Sequence, residues 1–334
     1  MHRTVQTFES TPSHPRPFVA WLGAPLAWLR ASRRAQLAVL LGPALAWVLA
    51  LIVAPGVLAF LMSFWRADAQ NFVIIREFSL NNYARIFEKT LYYGVLLKTI
   101  RIAATVMVCT LALAIPLAYT IAFKVRRHKP LWYAMVVVAL WMGYVIRAYA
   151  WRILFGNFGI INTFLLDLGL IREPLAFLLF NPFTVIVALT HLATPFALMP
   201  IYATLEQIPR ELHEAAADLG AGRWRTFVEV TLPLSLHGII AGAAFAFILS
   251  FGDFFAPVLL GGADSIMVAN VVASQFGVAY QWPLGTALAL LMFLVVILVL
   301  AVPDWVQRRL FRGPRHAEVL FAQPAADVRG RRQV

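Results

Sequence analysis

Two ionisable side chains lie inside long apolar runs of the sequence, Asp253 and Arg147. An ionisable group inside a bilayer costs about 2.5 to 3.5 kcal/mol, so each needs a reason to be there. Asp253 is either an acidic group on the path of a cationic solute or a structural cap of the turn with Gly252 and Pro257. Arg147 either lines or gates such a path, or extends to the lipid headgroups. The two side chains can also face one vestibule and pair.

Aromatic side chains accompany both charges. An aromatic ring attracts an ammonium group by cation–π interaction, worth about 0.5 to 2 kcal/mol, but aromatic rings are also typical of the belt at a membrane interface. The rings concerned are Tyr144, Tyr149, Trp151, Phe251, Phe254 and Phe255. The candidate residues of a translocation pathway are therefore Arg147, Tyr149, Trp151, Asp253 and Phe254.

Other kinds of chemistry find little support in the residues. Cys109 is the only cysteine, which excludes an intrachain disulfide, and no Cys/His metal spacing occurs. The sequence lacks the GxxxxGK[ST] phosphate loop. His191 and Asp253 are isolated, whereas a membrane-embedded enzyme needs paired carboxylates or a histidine cluster. His191 is better explained by packing, and we expect no enzymatic activity, metal or cofactor in this chain.

The composition is that of an integral membrane protein. Hydrophobic residues make up 61% of the chain and charged residues only 13%, far from the balance of a soluble domain. The formal charge of +12 raises the question of an anionic partner. Because no soluble-looking segment interleaves basic and aromatic residues, the lipid headgroups fit better than nucleic acid.

Six apolar stretches reach the roughly 20 residues that a helix needs to cross the hydrocarbon core. They are 37–64, 97–123, 131–151, 183–203, 237–260 and 283–302. The sequence thus predicts an all-α membrane protein with a six-helix domain over 37–303. Pro195 and Pro200 predict a bent or locally unwound fourth span. Residues 1–36 are predicted to form a cytoplasmic or interfacial lead-in, and 304–334 a basic cytoplasmic tail without fixed structure.

The distribution of basic residues predicts the orientation of these spans. Of the 28 Lys and Arg residues, 19 fall in the lead-in, the loop after the second span, the polar loop at about 206–233 and the tail. The opposite loops hold six, or nine when residues at span ends are included. Since positive charge accumulates on the cytoplasmic side, both termini and the loop at 206–233 are expected there.

That polar loop contains the run EAAADLGAGRWRTFVEVTLP over 214–233. An alanine-rich helix begins after Pro209, and Gly220 and Gly222 suit the left-handed conformation that ends a helix. A second helix is predicted over 223–230, ended by Thr231 and Pro233. An ordinary amphipathic linker is the alternative, although it does not require this placement of Gly and Pro.

Two further local patterns concern packing and the first outer loop. Gly238 and Gly242 stand four residues apart at the start of the fifth span, which permits close helix contact. We expect them to support the helix bundle or a dimer of such chains. The run 78–83 predicts the start of a helix at the membrane surface.

The residues Glu214, Ala215, Ala216, Gly220, Leu232 and Pro233 resemble the EAA loop of permeases from binding-protein-dependent ABC importers. The family pattern usually has Ile where this chain has Val230. The resemblance implies the type I importer permease fold, with the loop as a cytoplasmic coupling helix in a cleft of the ATPase subunit. The implied coupling residues are Glu214, Ala215, Ala216, Asp218, Gly220 and Pro233.

A wider resemblance points to the spermidine/putrescine branch of these permeases. It rests on the segments 147–151, 252–262 and 275–285. The branch implies a bacterial inner-membrane permease for polyamines, paired with a homologous permease. It also implies two ATPase subunits that use ATP and Mg, and a periplasmic solute-binding protein. These segments are less exclusive than the EAA loop, so import of iron, thiamine, phosphonate or a similar solute stays open.

Overall fold

The computed structural model describes residues 33–68, 71 and 73–310. Most of the predicted lead-in and the tail beyond residue 310 therefore lie outside the described residues. The chain divides into two units, Met1–Leu61 and Met62–Val334. In the first unit, helix α1 (Arg33–Val48) continues through a π-helical turn (Leu49–Val53) into α2 (Ala54–Met62). This turn directly precedes Pro55, whose missing N–H cannot complete the regular helical ladder.

The second unit begins with a small element that the sequence analysis missed. Strands β1 (Arg66–Asp68) and β2 (Val73–Ile75) pair antiparallel, with Arg66 opposite Ile75. The all-α prediction is therefore wrong for this hairpin, which is too short to show alternation of apolar and polar residues. The predicted helix start at 78–83 is confirmed by helix α3 (Asn81–Glu88).

The remaining helices alternate between long apolar helices and short segments. They are α4 (Thr90–Tyr119), α5 (Lys129–Val137), α6 (Tyr144–Phe155), α7 (Ile160–Asp167), α8 (Pro182–Glu206), α9 (Arg210–Asp218), α10 (Arg223–Thr226), α11 (Leu232–Phe251), α12 (Phe255–Leu260), α13 (Val268–Phe276) and α14 (Trp282–Leu310). Two π-helical turns (Thr120–Lys124 and Phe227–Thr231) and three 3₁₀ turns (Val138–Trp141, Ala176–Leu178 and Ala263–Ser265) join them. Helix α14 reaches seven residues into the predicted tail.

Helices α4, α8 and α11 pack against one another as the centre of this unit. Small residues allow the close approach, because an added methyl group at Gly238 of α11 would collide with Thr204 and with the carbonyl of Pro200. At Gly242 the same group would lie 2.9 Å from the carbonyl oxygen of Ala197 on α8. The predicted role of the two glycines in bundle packing is confirmed.

Helix α8 is continuous in spite of its internal prolines, Pro195 and Pro200. The predicted local unwinding is therefore wrong. Its buried residues Ala197, Leu198 and Ile201 pack with the end of α4 in one apolar cluster. This packing supports a helix that two missing backbone donors would otherwise weaken.

The third predicted span is a broken helix, and a sharp bend precedes the fifth. Lys129–Trp141 and Tyr144–Asp167 meet at 93°, and Arg223–Leu234 and Leu236–Phe251 at 73°. The first break falls at Gly143, whose extended backbone precedes α6. Arg147 therefore lies in the first turn of a new helix and not at the end of a straight third span. Among the described residues, four helices can cross a membrane, or up to six if each bent pair counts as one span.

Candidate functional site

The glycine corner of the loop at 206–233 has the predicted geometry. Gly220 lies in the left-handed region with φ of +79°. The N–H of Ala221 donates to the carbonyl of Ala216 and that of Gly220 to Ala217, both at 2.9 Å, which is the bond pair of a Schellman motif. The predicted left-handed conformation is wrong for Gly222, which is extended and precedes α10. The helix of the loop therefore ends at its glycine as the sequence predicts.

The second helix of the loop does not stop at Thr231 and Pro233. Helix α10 passes through the π-helical turn Phe227–Thr231 directly into α11, and the backbone remains helical. The predicted stop is wrong because Pro233 falls in the first turn of α11, where its missing N–H is tolerated. The loop is thus connected to the fifth span by continuous, bent helix.

The surface of the loop is open, and its inner side is attached to the helix bundle. The candidate coupling residues are exposed except Ala216, which is half-buried: Glu214, Ala215, Asp218, Gly220 and Pro233. His213 Nε2 hydrogen-bonds with the hydroxyl of the buried Thr231 at 3.0 Å, and its ring lies 4.6 Å from that of Phe123. Through His213, α9 is therefore attached to the π-helical turn that follows α4 and to the one that precedes α11.

Asp253 lies in the break between α11 and α12 and is 8% exposed. Its Oδ2 accepts a hydrogen bond from the hydroxyl of Tyr144. Its Oδ1 accepts one from the N–H of Ala256 at 2.7 Å, the arrangement of the predicted capping alternative. Both carboxylate oxygens thus have a defined partner, and α6 is joined to the end of α11.

Arg147 is 7% exposed, so the predicted extension to the headgroups is wrong. Its Nε and Nη1 are buried without a hydrogen-bond partner among the described residues. The described part of the chain contains one salt bridge, Arg225–Glu229, and the predicted pair of Arg147 with Asp253 is therefore wrong. Arg147 lies three residues after Tyr144 on α6, on the same face of the helix.

Trp151 lies on the same face of α6 as Tyr144 and Arg147, since their positions follow an i, i+3, i+7 pattern. Its indole N–H donates to Nδ1 of His191 on α8 at 3.2 Å. Within the transmembrane region, the structure therefore assembles a polar cluster from α6, α8 and the break after α11. Its members are Tyr144, Arg147, Trp151, His191 and Asp253.

Two of the predicted pathway residues lie outside this polar cluster. Tyr149 is 48% exposed on another face of α6, and Phe254 is 37% exposed. Phe254 instead lines a cleft of about 670 Å³ with Lys98, Asn270 and Gln275. Sequence reasoning missed Tyr144 as a bonding partner, although its helical spacing from Arg147 and Trp151 was a usable signal.

No group of three or more metal-ligating side chains occurs among the described residues. The available polar chemistry is a carboxylate, a phenol, a guanidinium and an imidazole on neighbouring helices. Such a set can bind and reorient an ion by charge and hydrogen bonding. The loop at 206–233, for its part, presents an exposed small-residue helix, α9, at the surface.

Comparisons with known proteins identify the family and the fold of the chain. Residues 102–316 match the family described as "Binding-protein-dependent transport system inner membrane component". The chain is 34% identical over 256 residues to the spermidine/putrescine transport system permease protein PotB of Escherichia coli (strain K12). The match covers 77% of this chain and 92% of that relative.

Two solved structures share the fold. One is the crystal structure of a bacterial ABC transporter involved in the import of the acidic polysaccharide alginate, with a TM-score of 0.67, 17% identity, and 88% of this chain and 100% of that chain covered. The other is a bacterial alginate ABC transporter in complex with alginate pentasaccharide-bound periplasmic protein, with the same TM-score and identity and coverages of 87% and 98%. At this identity the likeness concerns the fold alone.

Proposed function

Because this chain belongs to the inner membrane components of binding-protein-dependent transport systems, we propose that it forms half of the translocation pathway of an ABC importer for polyamines. The choice of polyamines as the solute rests on the identity to a spermidine/putrescine permease, which extends over nearly the whole length of that permease. The alternating-access mechanism requires a solute to be bound weakly and released, so the pathway needs a few well-placed polar groups.

The polar cluster supplies such groups for a cation. Asp253 provides a carboxylate that a protonated amine can engage, and Tyr144 holds that carboxylate in one orientation. Trp151 offers a ring for an ammonium group, whereas Tyr149 presents its ring on another face of α6 and Phe254 forms part of the wall of the cleft described above. Arg147 is buried beside them, and its positive charge repels a cation, so a cation stays only briefly at this point. Arg147 thus acts as a gate in the pathway.

The loop at 206–233 couples this pathway to ATP hydrolysis in separate subunits. Helix α9 sits in a cleft of an ATPase subunit. That subunit contacts Glu214, Ala215, Ala216 and Asp218. Gly220 keeps the corner rigid, and the continuous helix past Pro233 carries the movement into α11. ATP and Mg²⁺ bind to two such ATPase subunits and not to this chain.

The assembly also contains a second, homologous permease chain and a periplasmic binding protein that delivers the solute. Both termini and the coupling loop lie in the cytoplasm of a bacterial cell, in agreement with the bias of basic residues towards these segments. No contact with nucleic acid is part of this function.

The test is uptake by the reconstituted importer, with its binding protein and ATPase subunits in proteoliposomes. ATP-dependent accumulation of labelled spermidine or putrescine is the expected result. Calorimetry of the binding protein against polyamines, ferric ions, thiamine and phosphonates gives the matching specificity. Accumulation of one of the other solutes, with none of a polyamine, would refute the polyamine assignment and leave the permease family intact.

A further inference from the structure

A groove of about 830 Å³ separates the end of α4 from the two helices of the coupling loop. Most of its wall is apolar or aromatic. The principal apolar and aromatic residues are Ile115, Pro116, Tyr119, Phe123, Trp224 and Phe227. Among the described residues that line the groove, none is acidic.

Two cationic side chains line the groove and are called its rim charges: Lys124 from the π-helical turn that follows α4, and Arg223 from the start of α10. Both are exposed, and neither forms a salt bridge within the described part of the chain. Arg225, two residues further, is by contrast paired with Glu229 at 2.9 Å. The groove thus combines an apolar wall with two exposed positive charges that have no salt-bridge partner among the described residues.

The depth of the groove distinguishes its possible occupants. From Ile115 to Lys124 the helix rises about 14 Å. Lys124 directly follows the predicted second span at 97–123, which puts it near the headgroups, and Ile115 lies inside that apolar run. A soluble protein subunit would have to leave the aqueous phase to occupy the inner part of the groove. A lipid instead places an acyl chain there and its phosphate beside the two cations.

We propose that this groove binds one anionic phospholipid, with its phosphate between Lys124 and Arg223 and an acyl chain against Ile115, Tyr119 and Phe227. The lipid bridges the second span and the coupling loop, which face each other across the groove. Coupling between this chain and its ATPase then depends on the anionic lipid content of the membrane. The inference does not depend on which solute is carried.

The first experiment compares two double variants of the purified full chain. Lys124→Gln with Arg223→Gln removes the rim charges, and Arg126→Gln with Arg225→Gln removes the same charge from exposed positions outside the groove. After exchange in vesicles of phosphatidylcholine with and without phosphatidylglycerol, retained lipid is measured by mass spectrometry. Each rim charge is worth on the order of fivefold in preference for phosphatidylglycerol, so the first variant loses most of it and the control retains it. Equal retention by both variants would overturn the proposal.

The second experiment reads the groove directly through Trp224, which lines it. The fluorescence difference between the wild type and Trp224→Phe is measured with phosphatidylglycerol or phosphatidylcholine carrying brominated acyl chains. Stronger quenching by the anionic lipid supports the site. If the assembled importer shows no quenching of Trp224, and a cross-linker placed by Lys124→Cys in a Cys109→Ser background reaches another subunit, a protein fills the groove and the proposal fails.

Discussion

The hydroxyl of Tyr144 donates a hydrogen bond to Oδ2 of Asp253, a residue 109 positions later in the sequence. The bond connects α6, in the second part of the broken third span, to the break that ends α11. The other carboxylate oxygen caps α12 through the N–H of Ala256. Asp253 thus bonds the backbone with one oxygen and Tyr144 with the other, and the two bonds can be separated by mutation.

Asp253→Asn is expected to reduce polyamine uptake about tenfold or more, because an ion pair to the solute amine is lost, while protein levels in the membrane stay normal. The Asn side-chain oxygen can still accept from Ala256. Asp253→Ala is the comparison, since it removes the cap and the charge together and also lowers thermal stability. Uptake kinetics like those of the wild type in Asp253→Asn would rule out an essential charge at this position.

Tyr144→Phe removes only the hydroxyl that orients the Asp253 carboxylate. A hydrogen bond to a charged group is worth about 1.5 to 3 kcal/mol, so we expect a lower unfolding midpoint and slower uptake. In an Asp253→Asn background the additional effect of Tyr144→Phe on uptake is expected to be small, because the two residues act together. Tyr149→Phe is the control, as Tyr149 is exposed on the same helix. Fully additive effects on uptake would contradict this linkage.

Arg147→Met is expected to raise the thermal unfolding midpoint of the detergent-solubilised chain by a few degrees, while uptake falls. The guanidinium is buried, and two of its nitrogens have no hydrogen-bond partner among the residues that the structure describes. Replacing such a charge with an apolar side chain of similar length removes a desolvation cost. Arg172→Met, at an exposed position, should leave both quantities unchanged. A lower midpoint in Arg147→Met would indicate that the charge has a stabilising partner.

Gly220→Val is expected to abolish uptake with normal membrane insertion. A β-branched residue is strained at φ of +79°, by about 1 to 2 kcal/mol, so the Schellman corner would shift and α9 would lose its position. Gly222→Ala is the matched control, because Gly222 has an ordinary negative φ and open space around it. Solute-stimulated ATPase activity of the assembled importer is the readout, and full activity of Gly220→Val would show that the corner is not needed.

Gly238→Ala is expected to lower the unfolding midpoint, because the added methyl group meets Thr204 and the backbone of Pro200 on α8. Overpacking of this kind typically costs about 1 to 3 kcal/mol. Gly94→Ala on α4 has only one atom at 4.0 Å and should be neutral or slightly stabilising through helix propensity. A midpoint unchanged by Gly238→Ala would mean that α8 and α11 separate at little cost.

The residues themselves determined the features that depend on local chemistry or on long stretches of chain. Apolar runs of sufficient length identify the spanning helices, since the bilayer core sets a minimum length. The Gly220 corner follows from the one residue type that adopts a left-handed conformation without penalty. The small faces at Gly238 and Gly242 likewise indicate a close helix contact before its partner is known.

The tertiary structure decided which distant residues meet. The break at Gly143 starts a new helix, so Arg147 is buried and not placed at a span end, and no local pattern distinguishes a broken span from a straight one. The contacts of Trp151 with His191 and of Tyr144 with Asp253 join helices far apart in sequence. They depend on how the helices cross, which packing of the whole bundle decides and no single segment encodes.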